Sequence, residues 1–126
     1  MPSCTVIPVL AYEDLAAAID WLCSAFGFTE RWRAGSHRAQ LAVGGGAVAL
    51  TAQPVDAVST VMVRVEGVDG HHEQARRHGA RIVQPPADYP YGERQYTAED
   101  LAGHHWTFSE SIADVAPEEW GGTSSQ

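Results

Sequence analysis

The side chains best suited to chemistry gather between Asp88 and Phe108. Tyr89 and Tyr91 stand in a segment punctuated by proline and glycine, and the pair His104-His105 follows a turn. A neutral imidazole can act as an acid, a base or a metal ligand, because its reference pKa of about 6.5 lies near physiological pH. Alternatively, His105 only forms hydrogen bonds within a polar surface and His104 belongs to the turn. The residues leave both interpretations open.

Familiar catalytic motifs do not match elsewhere. His72 and Glu73 match the start of the zinc-protease motif His-Glu-x-x-His, but Arg76 occupies the position of its second histidine. The glycines from Gly44 to Gly46 are followed neither by Lys-Ser/Thr nor by a helix, so they indicate a hairpin turn rather than a phosphate cradle. Neither Gly-x-Ser-x-Gly nor paired Cys-x-x-Cys occurs. Zinc-protease, phosphate-binding, hydrolase and redox functions therefore lack support.

Composition limits the class of protein. A chain of 126 residues with 44% apolar composition suits one globular domain. With 8 Lys and Arg against 16 Asp and Glu, the formal net charge is −8, which disfavours nucleic acid and anionic membranes and favours neutral or cationic partners. Two cysteines, no basic leader and no apolar run of about 18 residues predict a soluble protein of a reducing compartment, the cytoplasm.

The first half of the chain predicts one helix and four strands. A β-branched run from Thr5 to Leu10 indicates a strand, and Pro8 favours an edge position for it. Asp14 is the predicted N-cap of an amphipathic helix, LAAAIDWLCSAF, which ends at Gly27. Three short strands follow, with predicted bounds of Phe28 to Arg33, Arg38 to Val43 and Ala47 to Ala52.

The same order returns after a polar linker from Gln53 to Ser59. Its predicted elements are a strand from Thr60 to Glu66, a helix from Gly70 to His78, and strands near Arg81 to Val83, Arg94 to Ala98 and His105 to Ser109. Asp69 is the predicted cap of the second helix and Gly79 its end, as Asp14 and Gly27 are for the first. Two βαβββ modules are therefore expected.

These modules define the expected domain organisation. We predict a single domain over residues 1–112, with modules at about 4–52 and 60–110, and a C-terminal tail over 113–126. Neither module alone can bury both faces of its sheet, so the two must pack together or exchange between chains.

Several stretches together resemble the vicinal oxygen chelate superfamily, which includes glyoxalase I, extradiol dioxygenases and bleomycin-resistance proteins. They are DLAAAIDWLCSAFGF, VEGVDGHHEQARRHGARIV and YGERQYTAEDLAGHHWTF. The family's closing Asp-Pro-x-Gly turn is matched by Asp100 and Gly103, with Leu101 in place of proline. The resemblance implies an α+β fold in which curved sheets surround a pocket, in a homodimer that can be module-swapped.

In metal-dependent relatives, four strand positions facing this pocket carry His or Glu. Matching by distance from Asp14 places the first position at Ile7, and matching by distance from Gly103 places the last at Thr107. The other two fall at about Ala49 and about Thr60, and a slip of one residue there would give Val48, Leu50, Ser59 or Val61. None of these four is a usual metal ligand. We therefore expect no metal and no other cofactor.

The resemblance also suggests which side chains face the pocket. Strand alternation from Thr107 and Thr60 turns His105, Met62 and Arg64 toward it. Aromatic rings can sandwich a planar ligand. The expected ligand-binding set is Trp32, Met62, Arg64, Tyr89, Tyr91, Tyr96, His105 and Thr107, with Trp106 expected in the core and Arg64 expected to form an internal salt bridge as its commoner outcome.

Three functions remain open at this point. The first is metal-independent binding and sequestration of a small, flat aromatic or cationic natural product, as in bleomycin-resistance proteins. The second is a glyoxalase-like lyase or isomerase with a displaced metal site or metal-free acid–base chemistry by His105 with Glu93 or Arg64. The third, a regulatory partner protein, rests only on the acidic surface and on the tail residues Glu118-Glu119-Trp120.

Overall fold

A computed structural model describes residues 6–113, and within them the chain forms two four-stranded sheets and two helices. The elements are β1 (Val9–Tyr12), α1 (Leu15–Phe26), β2 (Thr29–Ala34), β3 (Arg38–Val43), β4 (Gly46–Ala52), β5 (Thr60–Arg64), α2 (Val68–Arg77), β6 (Arg81–Tyr89), β7 (Glu93–Glu99) and β8 (His105–Ser111). No helix in this part of the chain is long and apolar enough to cross a membrane.

Both modules have the same topology. Sheet A has the strand order β1-β4-β3-β2, and sheet B has the order β5-β8-β7-β6. The first strand of each module pairs in parallel with its last strand, and the remaining pairs are antiparallel. The predicted α+β fold with two βαβββ modules is thus confirmed. The edge strands are β1 and β2 in sheet A and β5 and β6 in sheet B.

Helix α1 forms as its sequence predicts. The side chain of Asp14 accepts a hydrogen bond of 3.0 Å from the backbone N–H of Ala17, and Gly27 ends the helix with a φ of 76°. A left-handed φ favours glycine because it has no Cβ. The buried face, which includes Leu15, Ile19 and Leu22, follows the predicted apolar stripe.

The N-terminus of α2 differs from the prediction, because Asp69 does not cap it. The helix begins at Val68, and the carboxylate of Glu110 on β8 accepts hydrogen bonds of 3.0 Å from the backbone N–H groups of Val68 and Gly67. These two donors, Val68 first, hold the pKa of Glu110 below its usual range. Asp69 pairs with Arg94 instead, at 3.0 Å. The cap comes from 42 residues away, so local sequence could not reveal it.

Two strand boundaries differ from the prediction by more than a turn's length, and the others differ only slightly. Strand β1 begins at Val9 rather than at Thr5, and β6 extends to Tyr89 rather than ending at Val83. The segment expected as a loop is therefore strand, with register shifts at Ile82/Gln84 and Gln84/Ala87. Its prolines are tolerated because β6 is the outer strand of sheet B and lies next to these irregularities.

The two modules share one hydrophobic core. Phe26 and Phe28, at the end of α1, contact Trp106 on β8 with ring centroids 5.8 and 5.2 Å apart, and Phe26 lies 4.8 Å from Phe108. Trp106 and Phe108 are fully buried, as expected for Trp106. Pairs of this kind contribute about 0.5–1.5 kcal/mol each beyond area burial.

A buried polar cluster joins the modules beside this core. The Asp100 carboxylate accepts hydrogen bonds from the Tyr12 hydroxyl at 2.6 Å, from the Trp106 indole N–H at 3.0 Å, and from two backbone N–H groups of its own turn. Nearby, His104 Nδ1 accepts from the N–H of Ser59, so Nε2 carries the proton and donates to the carbonyl of Ala11 at 2.8 Å. His104 is thus a structural bridge rather than a turn residue.

The other face of each sheet, which we call its open face, is turned away from this core. In sheet A it carries Val9 and Trp32, which are 55% and 41% exposed, and in sheet B it carries Met62, which is 64% exposed. Cys23 is a free thiol, while Cys4 and the tail beyond residue 113 lie outside the described residues.

Candidate functional site

The open face of sheet B brings together most of the side chains predicted to bind a ligand. Thr60 is in register with His105, and Met62 is in register with Thr107, so these four side chains lie on adjacent strands of one face. The Thr107 hydroxyl shares a hydrogen bond of 2.8 Å with the hydroxyl of Thr97 on β7. The centre of this face is therefore lined by hydroxyl groups beside an exposed thioether.

A chain of hydrogen bonds extends across the same face toward its far end. Ser109 donates to the Glu93 carboxylate at 2.6 Å, and the Gln95 amide donates to the Ser109 hydroxyl at 3.1 Å. Arg64 lies 3.4 Å from the same Glu93 carboxylate, with a largely exposed side chain. The salt bridge expected for Arg64 is confirmed. The Arg64 side chain is 68% exposed and the Glu93 side chain only 16%, so another cation can take the place of Arg64 at this carboxylate.

Two tyrosines flank this carboxylate. Tyr89, at the end of β6, is in register with Glu93, and its ring stacks on Tyr91 with centroids 5.4 Å apart and planes inclined by 17°. Tyr91 donates to Gln95 at 3.4 Å, and Gln84 donates to the Tyr89 hydroxyl. Stacked phenol rings beside a carboxylate favour a cation, which is attracted both by the charge and by the π faces.

Glu93, one of the two partners expected for His105 in the alternative function, does not lie beside it. His105 Nε2 lies 3.7 Å from Glu99, whereas Glu93 is in register with Ser111 at the opposite end of β8. Glu93 lies six positions before Glu99 on β7, and at about 3.4 Å per position this places it about 20 Å away along the strand. The carboxylate next to His105 is therefore Glu99, which also lies 3.5 Å from Arg81.

Tyr96 does not line the predicted pocket, because it points into the core. Its side chain is fully buried, stacks on Phe108 at 5.3 Å and donates to Nδ1 of His71. His71 Nε2 in turn donates to the carbonyl of Phe26 at 2.9 Å, and burial lowers the pKa of His71. Alternation from Thr97, which faces the open side, was the available signal that Tyr96 faces the helices.

Trp32 belongs to the other sheet, on its outer strand β2. It is in register with Gln40, and Gln40 is in register with Ala49 on β4. Gln40 is only 4% exposed, and its Oε1 has no hydrogen-bond partner among the described residues. Sequence reasoning did not single out Gln40. The available signal was one polar residue inside an apolar strand.

A cleft of about 300 Å³ lies between the facing ends of the two sheets. From sheet B, strand β5 contributes Met62 and Arg64 of the predicted ligand-binding set. The remaining lining is mostly apolar and comes from Val6, Pro8, Val43, Gly45, Gly46, Ala47, Val48, Val61, Val63 and Trp106. Volume and lining suit a small, largely apolar ligand with one polar or charged edge.

The four positions matched to metal ligands have equivalent places in the two modules. Val9 on β1 is in register with Ala49 on β4, and Met62 on β5 is in register with Thr107 on β8. Ile7 therefore lies two residues before the partner of Ala49, and Thr60 lies two residues before the partner of Thr107. This symmetry supports the matching itself. Within residues 6–113, no three His, Cys, Asp or Glu side chains group closely enough to hold a metal ion.

Comparison with known proteins identifies the family. A model of the glyoxalase/bleomycin resistance protein/dioxygenase superfamily matches residues 5–108. The chain belongs to this superfamily. Among solved structures, TioX from Micromonospora sp. ML1 is 35% identical, with a TM-score of 0.75 over 90% of this chain and 100% of that chain.

More distant members of the superfamily share the fold. A glyoxalase/bleomycin resistance protein/dioxygenase from Nocardioides is 21% identical, with a TM-score of 0.67 over 100% of this chain and 91% of that one. Lactoylglutathione lyase from Agrobacterium tumefaciens is 15% identical, with a TM-score of 0.72 over 88% and 96%. An uncharacterized protein of Mycobacterium tuberculosis is 26% identical over 131 residues, which cover 89% of this chain and 77% of that protein.

Proposed function

We propose that this protein is a metal-independent binder that sequesters a small, flat aromatic or cationic natural product, in the manner of bleomycin-resistance proteins. The observation that carries the proposal is the chemistry of the four matched positions, Ile7, Ala49, Thr60 and Thr107, which hold apolar or hydroxyl side chains. Membership of a superfamily that includes bleomycin-resistance proteins supports it. We further propose that the protein is cytoplasmic and that it binds a small molecule rather than nucleic acid or a membrane.

The open faces carry side chains that suit an aromatic ligand and side chains that suit a cationic one. Trp32 offers an exposed indole for a flat ring, and the stacked pair Tyr89 and Tyr91 lies beside the Glu93 carboxylate, where a cationic group gains charge and π contacts together. An ammonium or amidinium group would exchange with Arg64 at Glu93. The net charge of −8 attracts such a ligand from a distance.

We also propose that the functional unit is a homodimer, in which the modules of two chains together enclose the ligand. Trp32 and Met62 lie on different sheets, so a ligand held by both needs the two open faces to come together. The first strand of each module, β1 or β5, is an edge strand of its sheet and carries an exposed apolar side chain, Val9 or Met62. A second copy of the chain can cover both features.

The experiment that tests the binding proposal is a screen of aromatic antibiotics, cationic and neutral, read by tryptophan fluorescence at micromolar protein. We expect quenching with a cationic or neutral planar compound and a weaker effect in Trp32→Phe. A panel that quenches nothing, and causes no thermal shift, would contradict sequestration. Trp21→Phe is the matched control, since the Trp21 indole donates to the carbonyl of His78 and lies away from the open faces.

A second candidate, a lyase or isomerase, is favoured by one observation. His105 and Glu99 approach to 3.7 Å on the open face of sheet B, with both side chains partly exposed. An imidazole supported by a carboxylate can take a proton from a bound substrate and return it. Turnover that is lost in His105→Ala, while ligand binding survives, would make this the function. Unchanged turnover in that variant would exclude His105 as the base.

A further inference from the structure

Gln40 is the exception among the buried polar side chains of the described residues. Among the described residues, its Oε1 is the buried side-chain oxygen or nitrogen atom without a hydrogen-bond partner, in a side chain that is only 4% exposed. A buried acceptor of this kind costs about 1–3 kcal/mol relative to a satisfied one. A leucine or methionine fills a similar volume at no such cost. The amide therefore needs a role that hydrophobic packing does not provide.

The neighbours of Gln40 on the open face of sheet A are one aromatic side chain and several alanines. Across one strand boundary lies Trp32, and across the other lies Ala49. The next register pair along the same face, Ala42 with Ala47, has side chains no larger than a methyl group. Ala42, Ala47 and Ala49 thus form a patch of small side chains beside the Gln40 amide, which we call the alanine floor, and Trp32 lies on the other side of Gln40.

The alanine floor reaches the cleft between the sheets. Ala47 lines that cleft, and on the same face of β4 the next side chain is Ala49, the register partner of Gln40. Trp32 stands on the outer strand of sheet A and is 41% exposed, so its indole can change rotamer without disturbing the core. A ligand that enters by the cleft and displaces the Trp32 indole would reach the buried amide.

We propose that Gln40 is a specificity-determining residue, whose carbonyl accepts a hydrogen bond from a ring N–H of a planar heteroaromatic ligand lying on the alanine floor beside Trp32. The inference deepens the proposed function and rests on it. In this role Gln40 selects heteroaromatic compounds with an in-plane N–H, such as lactams, over hydrocarbons and N-alkylated analogues. The discrimination follows because an N-methyl group leaves the acceptor unpaired and collides with it.

A matched pair of probes tests this, 2-quinolinone and 1-methyl-2-quinolinone, which differ by one N–H. Titration into ¹⁵N-labelled protein follows the side-chain signals of Gln40 and Trp32. We expect the N–H compound to shift both signals and to bind about five-fold tighter, or more, than the N-methyl compound. In Gln40→Leu the two affinities become equal. In Gln53→Leu, a control at an exposed glutamine beyond β4, the preference is retained.

The thermal stability of Gln40→Leu without any ligand gives a second test. Gln40→Leu removes the unpaired acceptor, so its Tm rises by about 4 °C or more, while a residue kept only for stability would lower the Tm when replaced. Gln40→Met repeats the measurement if the leucine variant fails to fold.

Three results would overturn the inference. The first is equal wild-type affinity for the two probes, and the second is no shift of either signal with 2-quinolinone at millimolar concentration. The third is a Gln40→Leu protein that becomes monomeric, which would assign the acceptor to a chain–chain contact. If the antibiotic screen gives binders while these tests fail, the proposed function stands and only the role of Gln40 falls.

Discussion

The hydroxyl of Tyr12 donates a hydrogen bond of 2.6 Å to the carboxylate of Asp100, across 88 residues of sequence. It connects β1 of sheet A to the turn that closes sheet B. Burial, and then the neighbouring charge of Asp100, raises the pKa of Tyr12 above its usual range, so the hydroxyl is a hydrogen-bond donor at neutral pH. The bond is one of the contacts that fix the two modules relative to each other.

Removing this hydroxyl should therefore destabilise the whole domain rather than one module. For Tyr12→Phe we expect the free energy of unfolding to fall by about 1.5–3 kcal/mol, because the Asp100 carboxylate loses a donor without gaining water. Urea unfolding followed by fluorescence and by circular dichroism measures it. The matched control is Tyr89→Phe on the open face, for which we expect less than about 0.5 kcal/mol. Equal losses in the two variants would contradict the junction role.

The stability of the protein should fall on mild acidification through His71. Burial lowers the pKa of this histidine in the folded state, so between the folded pKa and the unfolded value of about 6.5 the unfolded chain binds more protons. Its stabilising contribution is complete above about pH 6.5 and is lost as the pH falls toward the folded pKa. His71→Gln, which does not titrate, should show a shallower decrease.

The measurement is the urea midpoint from pH 7.5 to pH 5 in both proteins, with His37→Gln as the control at an exposed histidine. The difference between wild type and His71→Gln isolates this one residue from the other titrating groups. Parallel curves for the two proteins would show that His71 does not carry the acid sensitivity.

Local patterns were sufficient for the elements whose signals lie within a few residues. The Asp14 cap, the Gly27 terminus and strand β3 are all encoded by spacing and turn chemistry in their own segment. The cap of α2 was not predictable, since Glu110 approaches it from another strand. The extent of β6 was missed because prolines argue against a strand unless it is known to be an edge.

In the candidate site, too, the features set by local sequence were predictable and those set by tertiary structure were not. Alternation correctly turned Met62, Thr107 and His105 to one face, because the period of two is a property of the strand itself. Which carboxylate meets His105 depends on the register between β7 and β8, and this selects Glu99 rather than Glu93. The unpaired acceptor of Gln40 is a tertiary property that no local pattern reports.

Ligand binding should be insensitive to chelation, if the proposed function is right. None of Ile7, Ala49, Thr60 and Thr107 carries a usual metal ligand, so extended dialysis against EDTA should change the affinity for a ligand from the antibiotic screen by less than two-fold. Elemental mass spectrometry of protein purified without an affinity tag accompanies the titration. A retained, stoichiometric divalent metal, with affinity lost on its removal, would favour the enzyme candidate instead.

Met62 offers the sharpest test of the proposed dimer, because it is 64% exposed and its replacement leaves the core intact. In Met62→Asp we expect the dimer to dissociate at least ten-fold more readily, since a carboxylate buried between chains without a partner costs about 1–3 kcal/mol or more. Sedimentation equilibrium measures the constant, and an unchanged Tm at low protein concentration would show that each chain still folds. The control, Val58→Asp, alters a valine that is 60% exposed but lies in the linker. If Met62→Asp assembles as the wild type does, the open face of sheet B is free of the interface and the ligand site is complete within one chain.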